Sequence, residues 1–346
     1  MKIIEMDVKK LLSAFLCDAI NSFAFSIKTN ALKDPNQPLV EFGRKVLAVE
    51  FNTALVLSIF LPKVAKLLRV TPFPADAIQY FKQLTEKLVA ERREENSKQS
   101  LSQFLSHTKP IETKRKDFLQ IMIDANKDTA EEEELITDHN TSDGVFERAD
   151  DRQNASNPTA GRQTLSTVEM TAQCMLFFIA GFDTTGSAIS HTLYYLSKYP
   201  EIQQKLYEEL RDVTDFSADT LAALPYLNAV IQESVRLRPP ILRVERVCNE
   251  DITLHNIHIP EGTICTVATY ALHRDSRYWS DARTFRPERF VGSKPAHPYA
   301  LMPFGAGPRV CLGMRFALIE IRLCLAKLVP RFRFTLCENT VVCILL

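Results

Sequence analysis

The amino-acid sequence predicts a mostly α-helical fold with small β-sheets. Helical spacing of apolar residues recurs through most of the 346 residues. One such pattern runs from Ser166 to Pro200 with no proline in between, which is long for a globular helix. A strand-like pattern rich in β-branched residues is confined to Val244 to Thr269. The sheet is therefore expected late in the chain, after the principal helices.

The first third of the chain is expected to be helical. Residues 7–30 have amphipathic spacing, a turn is indicated at Asp34 and Pro35, and helical spacing returns from about Leu39. The segment from Phe51 to Phe73 is unusually apolar. Its composition by itself favours a buried pair of helices over a membrane-touching surface.

Helical spacing continues from about Ala75 to Ser97 and again from Phe118 to Ala125. Residues 127–165, by contrast, contain clustered acidic and small polar side chains and few large apolar ones. Such a segment buries too little apolar surface to offset the entropy lost on ordering. We therefore predict a flexible polar loop inside one domain that spans residues 1–346.

The later helices are marked by their first residues. Ser166 and Glu169 have the spacing of a capping box, so the long helix is expected to begin there. Pro200 and Pro225 each suit the first position of a further helix. A last helix is expected from about Leu312 to Leu328, followed by a short β-rich tail.

Composition narrows the class of protein. Forty-two basic residues balance 42 acidic ones, so the chain as a whole lacks the positive charge that non-specific nucleic-acid binding needs. The eight cysteines contain no C-x-x-C pair, which disfavours a zinc site or a disulfide framework and suits a reducing compartment. Nucleic acid is therefore not an expected partner.

The segment of residues 303–313 brings a single cysteine, Cys311, to the start of the last helix through a glycine-rich loop. Glycines allow close approach to a flat cofactor, and amide groups at a helix start stabilise a thiolate. An isolated cysteine is more often an inert core residue. A dinucleotide loop is disfavoured because Val310 stands where a third glycine would be needed and no strand precedes it.

These residues resemble the F-x-x-G-x-R-x-C-x-G signature of cytochromes P450, present here as Phe304, Gly307, Arg309, Cys311 and Gly313. From about residue 7 to its end the chain resembles the animal microsomal group that includes the family 3 drug-oxidising enzymes and thromboxane synthase. The resemblance implies the P450 fold and heme b (iron protoporphyrin IX), with Cys311 as the axial ligand of the iron. Histidine is the chief rival ligand, but no histidine has a comparable setting.

Three further matches carry implied roles. In the family, an E-x-x-R pair joins the arginine of a P-E-R-F segment in a buried triad that supports the heme-binding loop; here these are Glu233, Arg236 and Arg289. Taken alone, a glutamate and an arginine three residues apart usually form a weak surface pair. In the family's H-R-D segment, His273 matches a structural position and is not expected to be a ligand.

The middle of the long helix resembles the family's A-G-x-[DE]-T-T pattern, which makes Asp183 and Thr184 the acid and alcohol that relay protons during oxygen activation. A helix kink with hydroxyls bonded back to the preceding turn is the alternative. By resemblance Arg309 and Arg243 contact the heme propionates, and Phe304 completes the cofactor-binding set. Two buried carboxylates would require cations of this kind.

The implied function is that of a heme-thiolate monooxygenase that inserts one oxygen atom of O2 into a lipophilic substrate. Electrons would come from NADPH-cytochrome P450 reductase, at the cytosolic face of the endoplasmic reticulum membrane. The apolar segment near residues 55–70 resembles the membrane-dipping part of these enzymes, which reverses the preference for a buried helix pair.

The family's N-terminal portion, with its membrane anchor, is expected to be missing, so that the fold would lack its N-terminal part. Two alternatives therefore stay open: a non-catalytic truncated fragment, and a heme-thiolate isomerase. The presence of Asp183 and Thr184 favours monooxygenation, because an isomerase would not need an oxygen-activating pair. No residue marks a particular substrate.

Overall fold

The computed structural model describes residues 4–34, 37–47, 57, 61–68, 70, 73–106, 117–125, 165–292 and 297–340. Within these residues the chain divides into two compact units. The N-terminal unit contains residues 8–125 and 165–183, and the C-terminal unit contains residues 4–7 and 184–340. The predicted flexible loop over residues 127–165 lies outside the described residues except for Leu165.

The N-terminal unit is helical. Its helices are α1 (Val8–Phe25), α2 (Pro38–Leu47), α3 (Pro62–Leu67), α4 (Ala75–Ser106), α5 (Phe118–Ala125) and the first half of α6 (Thr167–Lys198). Its core contains an aromatic cluster in which Phe178 lies between Phe81 and Phe182, with ring centroids 5.3 and 5.4 Å away. Gly43 of α2 packs so closely on Phe178 that a Cβ at this position would lie 2.5 Å from the ring.

A buried ion pair ties three elements of this unit together. Arg92 of α4 donates to the carboxylate of Asp117 at 2.7 Å, and both side chains are 5% exposed. The same carboxylate accepts the backbone N–H of Gln120 at 2.9 Å and so caps the start of α5. Arg92 also donates to the carbonyl oxygen of Phe25 at the end of α1.

The long helix α6 begins as the sequence predicts. Ser166 Oγ accepts the backbone N–H of Glu169 at 3.2 Å, and the Glu169 carboxylate accepts the N–H of Ser166 at 2.7 Å. These are the two reciprocal bonds of a capping box. The hydrogen bonds also lower the pKa of the Glu169 carboxyl.

The C-terminal unit combines the second half of α6 with shorter helices and two antiparallel strand pairs. The helices are α7 (Pro200–Leu210), α8 (Ala218–Ala222), α9 (Pro225–Leu237), α10 (Thr269–Leu272) and α11 (Met314–Leu328). Glu209 of α7 accepts the backbone N–H groups of Tyr226 and Leu227, so its carboxylate satisfies the orphan donors at the start of α9.

Within the described residues, four strands form two small antiparallel sheets, as the sequence predicts. They are β1 (Val244–Val247), β2 (Ile252–Leu254), β3 (Ile257–Ile259) and β4 (Ile264–Val267). β1 pairs with β4, in the register Val244 to Val267, and β2 pairs with β3. His255 and Asn256 have φ angles of 46° and 62°, which close the inner hairpin with the left-handed backbone of a type I′ turn.

Several element ends differ from the sequence expectation. α4 continues to Ser106, about two and a half turns beyond the predicted end near Ser97, and α11 begins at Met314 rather than Leu312. The described part of the C-terminal tail, which ends at Thr340, contains no strand. None of the helices within the described residues combines the length and apolarity needed to cross a membrane.

Candidate functional site: the cysteine loop and its support

The backbone of the cysteine loop depends on two glycines. Gly305 and Gly307 have φ angles of +77° and +72°, where a side chain would be strained. A short 3-10 turn over Gly307–Arg309 follows, and the N–H of Cys311 then donates to the carbonyl oxygen of Phe304 at 2.9 Å. The loop is therefore closed on itself and delivers Cys311 to the chain just before α11.

The Cys311 side chain is accessible, and the neighbouring Arg309 and Leu312 are exposed as well. Surrounding protein atoms remove water from the thiol and raise its pKa, while a hydrogen bond from the backbone N–H of Gly313 opposes this rise. A group that is accessible yet partly desolvated can accept a ligand without moving the core. Binding to a metal would deprotonate the thiol outright.

The geometry of the loop suits a cysteine that would be the axial ligand of a heme iron. The sequence pattern points to Cys311 for this role. Cys17, Cys174 and Cys324 are buried, and desolvation raises their pKa values to about 12, 11 and 12. Such thiols behave as small apolar residues. Cys311 differs because it combines access, a glycine-shaped approach and an N–H donor aimed at sulfur.

The structure brings Glu233, Arg236 and Arg289 together in the C-terminal unit. Arg236 makes a bidentate pair with the Glu233 carboxylate, with distances of 2.7 and 2.8 Å. Arg289, from the 3-10 turn that packs against α9, donates its Nε–H to Glu233 Oε1 at 3.0 Å, and the backbone N–H of Arg286 donates to the same oxygen at 2.8 Å. Glu233 and Arg236 are fully buried, so each charge needs an oppositely charged partner to offset its loss of hydration.

Arg236 also anchors the chain that follows β4. Its Nη1 donates to the carbonyl oxygens of His273 and Ala282 at 2.7 and 2.8 Å, and Nη2 donates to that of Thr284 at 3.3 Å. The guanidinium lies 5.0 Å from the ring centroid of Trp279, which adds a cation–π contact. One buried arginine thus fixes several loop segments at once.

Asp183 and Thr184 lie in the middle of α6, where the boundary between the two units falls. Within the N-terminal unit, Asp183 forms an ion pair with Lys9 of α1 at 3.4 Å. Gly181, two residues earlier, allows close approach of α1, since a Cβ there would lie 3.1 Å from Cδ1 of Ile20. The glycine therefore has a packing reason, and the acid has a cationic neighbour that the sequence pattern did not indicate.

Arg243 is a predicted site residue that lies in an exposed setting. It precedes β1, its side chain is 69% exposed, and it pairs with Glu245 at 2.8 Å. An exposed pair of this kind is weak. The predicted contact of Arg243 with a heme propionate stays a prediction.

Sequence reasoning missed a buried acid on α11, the helix that follows the cysteine loop. Glu320 of α11 is 4% exposed, and neither of its carboxylate oxygens has a hydrogen-bond partner within the described residues. Desolvation raises the pKa of Glu320 to about 8. A signal was present, because Glu320 stands between Ile319 and Ile321 in an apolar-rich helix, but the sequence could not show whether a partner approaches it.

Comparison with known proteins identifies the family of the chain. The family model described as "Cytochrome P450" matches residues 2–148 and 146–345. Cytochrome P450 3A11 of Mus musculus is 34% identical over 343 residues, and Cytochrome P450 3A5 of Homo sapiens is 34% identical over 342 residues; each alignment covers 96% of this chain. Cytochrome P450 3A6 of Oryctolagus cuniculus is 34% identical over 345 residues, or 97% of this chain. The chain spans 60% of the length of these relatives.

Proposed function

The chain belongs to the cytochrome P450 family, and on this premise we propose that it binds heme b through Cys311 and acts as a heme-thiolate monooxygenase. The observation that carries the proposal is the closed glycine loop that presents an accessible Cys311 at the start of α11. The family match extends over residues of both units, which supports the proposal of one catalytic domain over residues 1–346.

Each site residue has a proposed role. Cys311 would hold the iron, Arg309 and Arg243 would neutralise the propionates, and Phe304 would pack beside the cofactor. Glu233, Arg236 and Arg289 would support the loop, since their buried charges fix the chain segments around it. When bound, a thiolate-ligated heme supplies electron density that favours cleavage of the O–O bond.

Asp183 and Thr184 are the proposed proton-handling pair. Their carboxylate and hydroxyl oxygens can hold and pass a proton, and both residues are partly buried on α6. Lys9 lies close enough to hold the Asp183 carboxylate in one orientation. This pair supports monooxygenation over isomerisation, which would not need an oxygen-activating acid and alcohol.

The proposed partners are a lipophilic substrate, NADPH-cytochrome P450 reductase and a membrane surface, with the endoplasmic reticulum membrane, cytosolic face, as the location. Support for membrane contact comes from the chain around α3, where Leu61, Val64, Leu67 and Leu68 are exposed. Exposed apolar side chains clustered on one short helical segment are typical of a surface that contacts lipid or protein.

The proposal is tested by the absorption spectrum of the purified, heme-supplied chain, reduced under carbon monoxide. A Cys311→Ser variant removes the proposed ligand, and a Cys265→Ser variant is the matched control because Cys265 is an exposed cysteine on β4. We expect a thiolate-type Soret band in the unmodified chain and in the control, and its loss in Cys311→Ser. A band that survives in Cys311→Ser would overturn the ligand assignment, and a complete lack of heme would favour a non-catalytic fragment.

A further inference from the structure

We propose that His273 positions the cysteine loop by bridging the end of α9 to the backbone of Met302 in a single imidazole tautomer. The inference deepens the proposed function and rests on it, because the loop matters only if Cys311 holds the heme. His273 lies just beyond α10, outside the loop itself. It would act through Met302 and is therefore a positioning residue.

The bridge consists of two hydrogen bonds at a fully buried ring. The backbone N–H of Met302 donates to His273 Nε2 at 2.8 Å, and His273 Nδ1 lies 3.2 Å from the carbonyl oxygen of Arg236. A backbone N–H can only donate and a carbonyl can only accept. Nε2 must therefore be unprotonated, and Nδ1 must carry the proton.

The bridge leads directly to the ligand. Met302 lies two residues before Phe304, whose carbonyl oxygen accepts the N–H of Cys311. At its other end, His273 is bound to Arg236 twice, because Arg236 Nη1 donates to the His273 carbonyl oxygen at 2.7 Å. Hydrogen bonds thus join the buried charge cluster on α9 to the backbone of Met302, whose carbonyl oxygen accepts the N–H of Gly305 in the cysteine loop at 3.2 Å.

The ring is held neutral at physiological pH by its surroundings. Burial is the main cause that lowers the pKa of His273 to about 4, and the positive charges of Arg236 and Arg274 contribute in the same direction. Hydrogen bonds to the backbone of Arg236 and Val235 oppose this effect. Protonation would turn Nε2 into a donor that faces the N–H donor of Met302, so the bridge cannot survive in the imidazolium form.

A buried histidine with satisfied nitrogens could also serve packing alone, and two variants separate the possibilities. In His273→Gln the terminal amide oxygen can take the place of Nε2 and accept from Met302. In His273→Asn the shorter amide can take the place of Nδ1 and donate to Arg236, but the N–H of Met302 loses its acceptor. If His273 served packing alone, His273→Asn would differ from His273→Gln only by a lower overall stability, because asparagine is smaller.

The first readout is hydrogen exchange of the Met302 amide in the full chain without heme. We expect exchange about 10- to 100-fold faster in His273→Asn, since an unpaired buried N–H costs about 1–3 kcal/mol, and tenfold corresponds to 1.4 kcal/mol. His273→Gln should stay within a few-fold of the unmodified chain. Equal exchange in both variants would overturn the proposal, and this readout does not depend on heme binding.

The second readout is the reduced carbon monoxide spectrum of the heme-supplied variants. His273→Gln should keep the thiolate-type band, and His273→Asn should lose a substantial fraction of it. If no chain binds heme, the proposed function fails while the exchange experiment still tests the bridge. Equal loss of the band in both variants would overturn the positioning role.

A third measurement needs no variant and so does not depend on whether either substitution folds. Long-range 1H–15N spectra of the histidine-labelled, unmodified chain should show His273 with an unprotonated Nε2 from pH 5 to 8. A ring protonated at Nε2 in this range would overturn the proposal.

Discussion

Replacing Glu320 by glutamine is expected to remove a pH dependence of stability that originates in the last helix. Glu320 is almost fully buried, and its carboxylate oxygens have no partner within the described residues. An ionised carboxylate in this setting is costly, so the folded protein favours the protonated acid. Desolvation is the single cause of its raised pKa, with no contribution from a neighbouring charge.

The magnitude follows from the pKa difference. The pKa of Glu320 rises from 4.5 to about 8 on folding, and each unit corresponds to 1.36 kcal/mol, so the full effect is about 5 kcal/mol. Because the folded pKa is raised, the folded state binds the proton more tightly than the unfolded state. The stabilisation is fully present below pH 4.5 and is lost as pH rises towards 8. Cys324, one turn along, stays a neutral thiol in this range because its pKa is about 12.

The assay is urea unfolding at intervals between pH 5 and 9 for the unmodified chain and Glu320→Gln. Between pH 5 and 8 the unmodified chain should lose several kcal/mol of unfolding free energy relative to Glu320→Gln. Above pH 8 the difference between the two should level off. Glu201→Gln, at an exposed position of α7, is the control and should run parallel to the unmodified chain. Parallel curves for Glu320→Gln as well would refute the reasoning.

Three further predictions concern other parts of the fold. Glu233→Gln should lower the unfolding free energy by about 3–5 kcal/mol, measured by urea unfolding, because it removes the anion between buried cations; a loss below 1 kcal/mol would contradict this. Gly43→Ala should lower the unfolding free energy by about 1–3 kcal/mol, because the added Cβ overlaps Phe178, and a second change, Phe178→Leu, should relieve this overlap. If the losses of unfolding free energy in the two single variants simply add in the double variant, the overlap is not the cause. A double-mutant cycle of Lys9→Met and Asp183→Asn should give about 0.5 kcal/mol of coupling that disappears in 1 M salt, and coupling unaffected by salt would contradict a partly exposed pair.

Much of the helical order was predictable because its signals are local. The capping box at Ser166 and the prolines at the starts of α7 and α9 act within one turn of the residues that they control. The pairing of β1 with β4 around an inner hairpin was not predictable, since the register joins residues far apart in sequence. The end of α4 was also missed, because the all-polar run over residues 91–100 interrupts the apolar spacing on which the prediction depended.

At the candidate site, too, features with local sequence signals were predictable and features that depend on distant residues were not. The glycine and cysteine spacing of residues 303–313 indicated a ligand loop, and the structure shows why those glycines are needed, through their positive φ angles. The pairing of Lys9 with Asp183 and the two bonds of His273 had no local signal. A lysine in a first helix turn and a histidine before an arginine occur in many sequences with no such partners.

The sequence by itself determined the helical class and the family, and it indicated Cys311 as the proposed ligand, because periodicity, caps and a short motif depend on residues close in the chain. Only the tertiary structure decided which buried polar groups have partners. Glu233 accepts hydrogen bonds from the side chains of Arg236 and Arg289 and from the backbone of Arg286, whereas within the described residues the buried Glu320 carboxylate has no hydrogen-bond partner. The physical reason is that desolvation and long-range hydrogen bonding depend on what packs around a side chain, and sequence spacing does not contain that information.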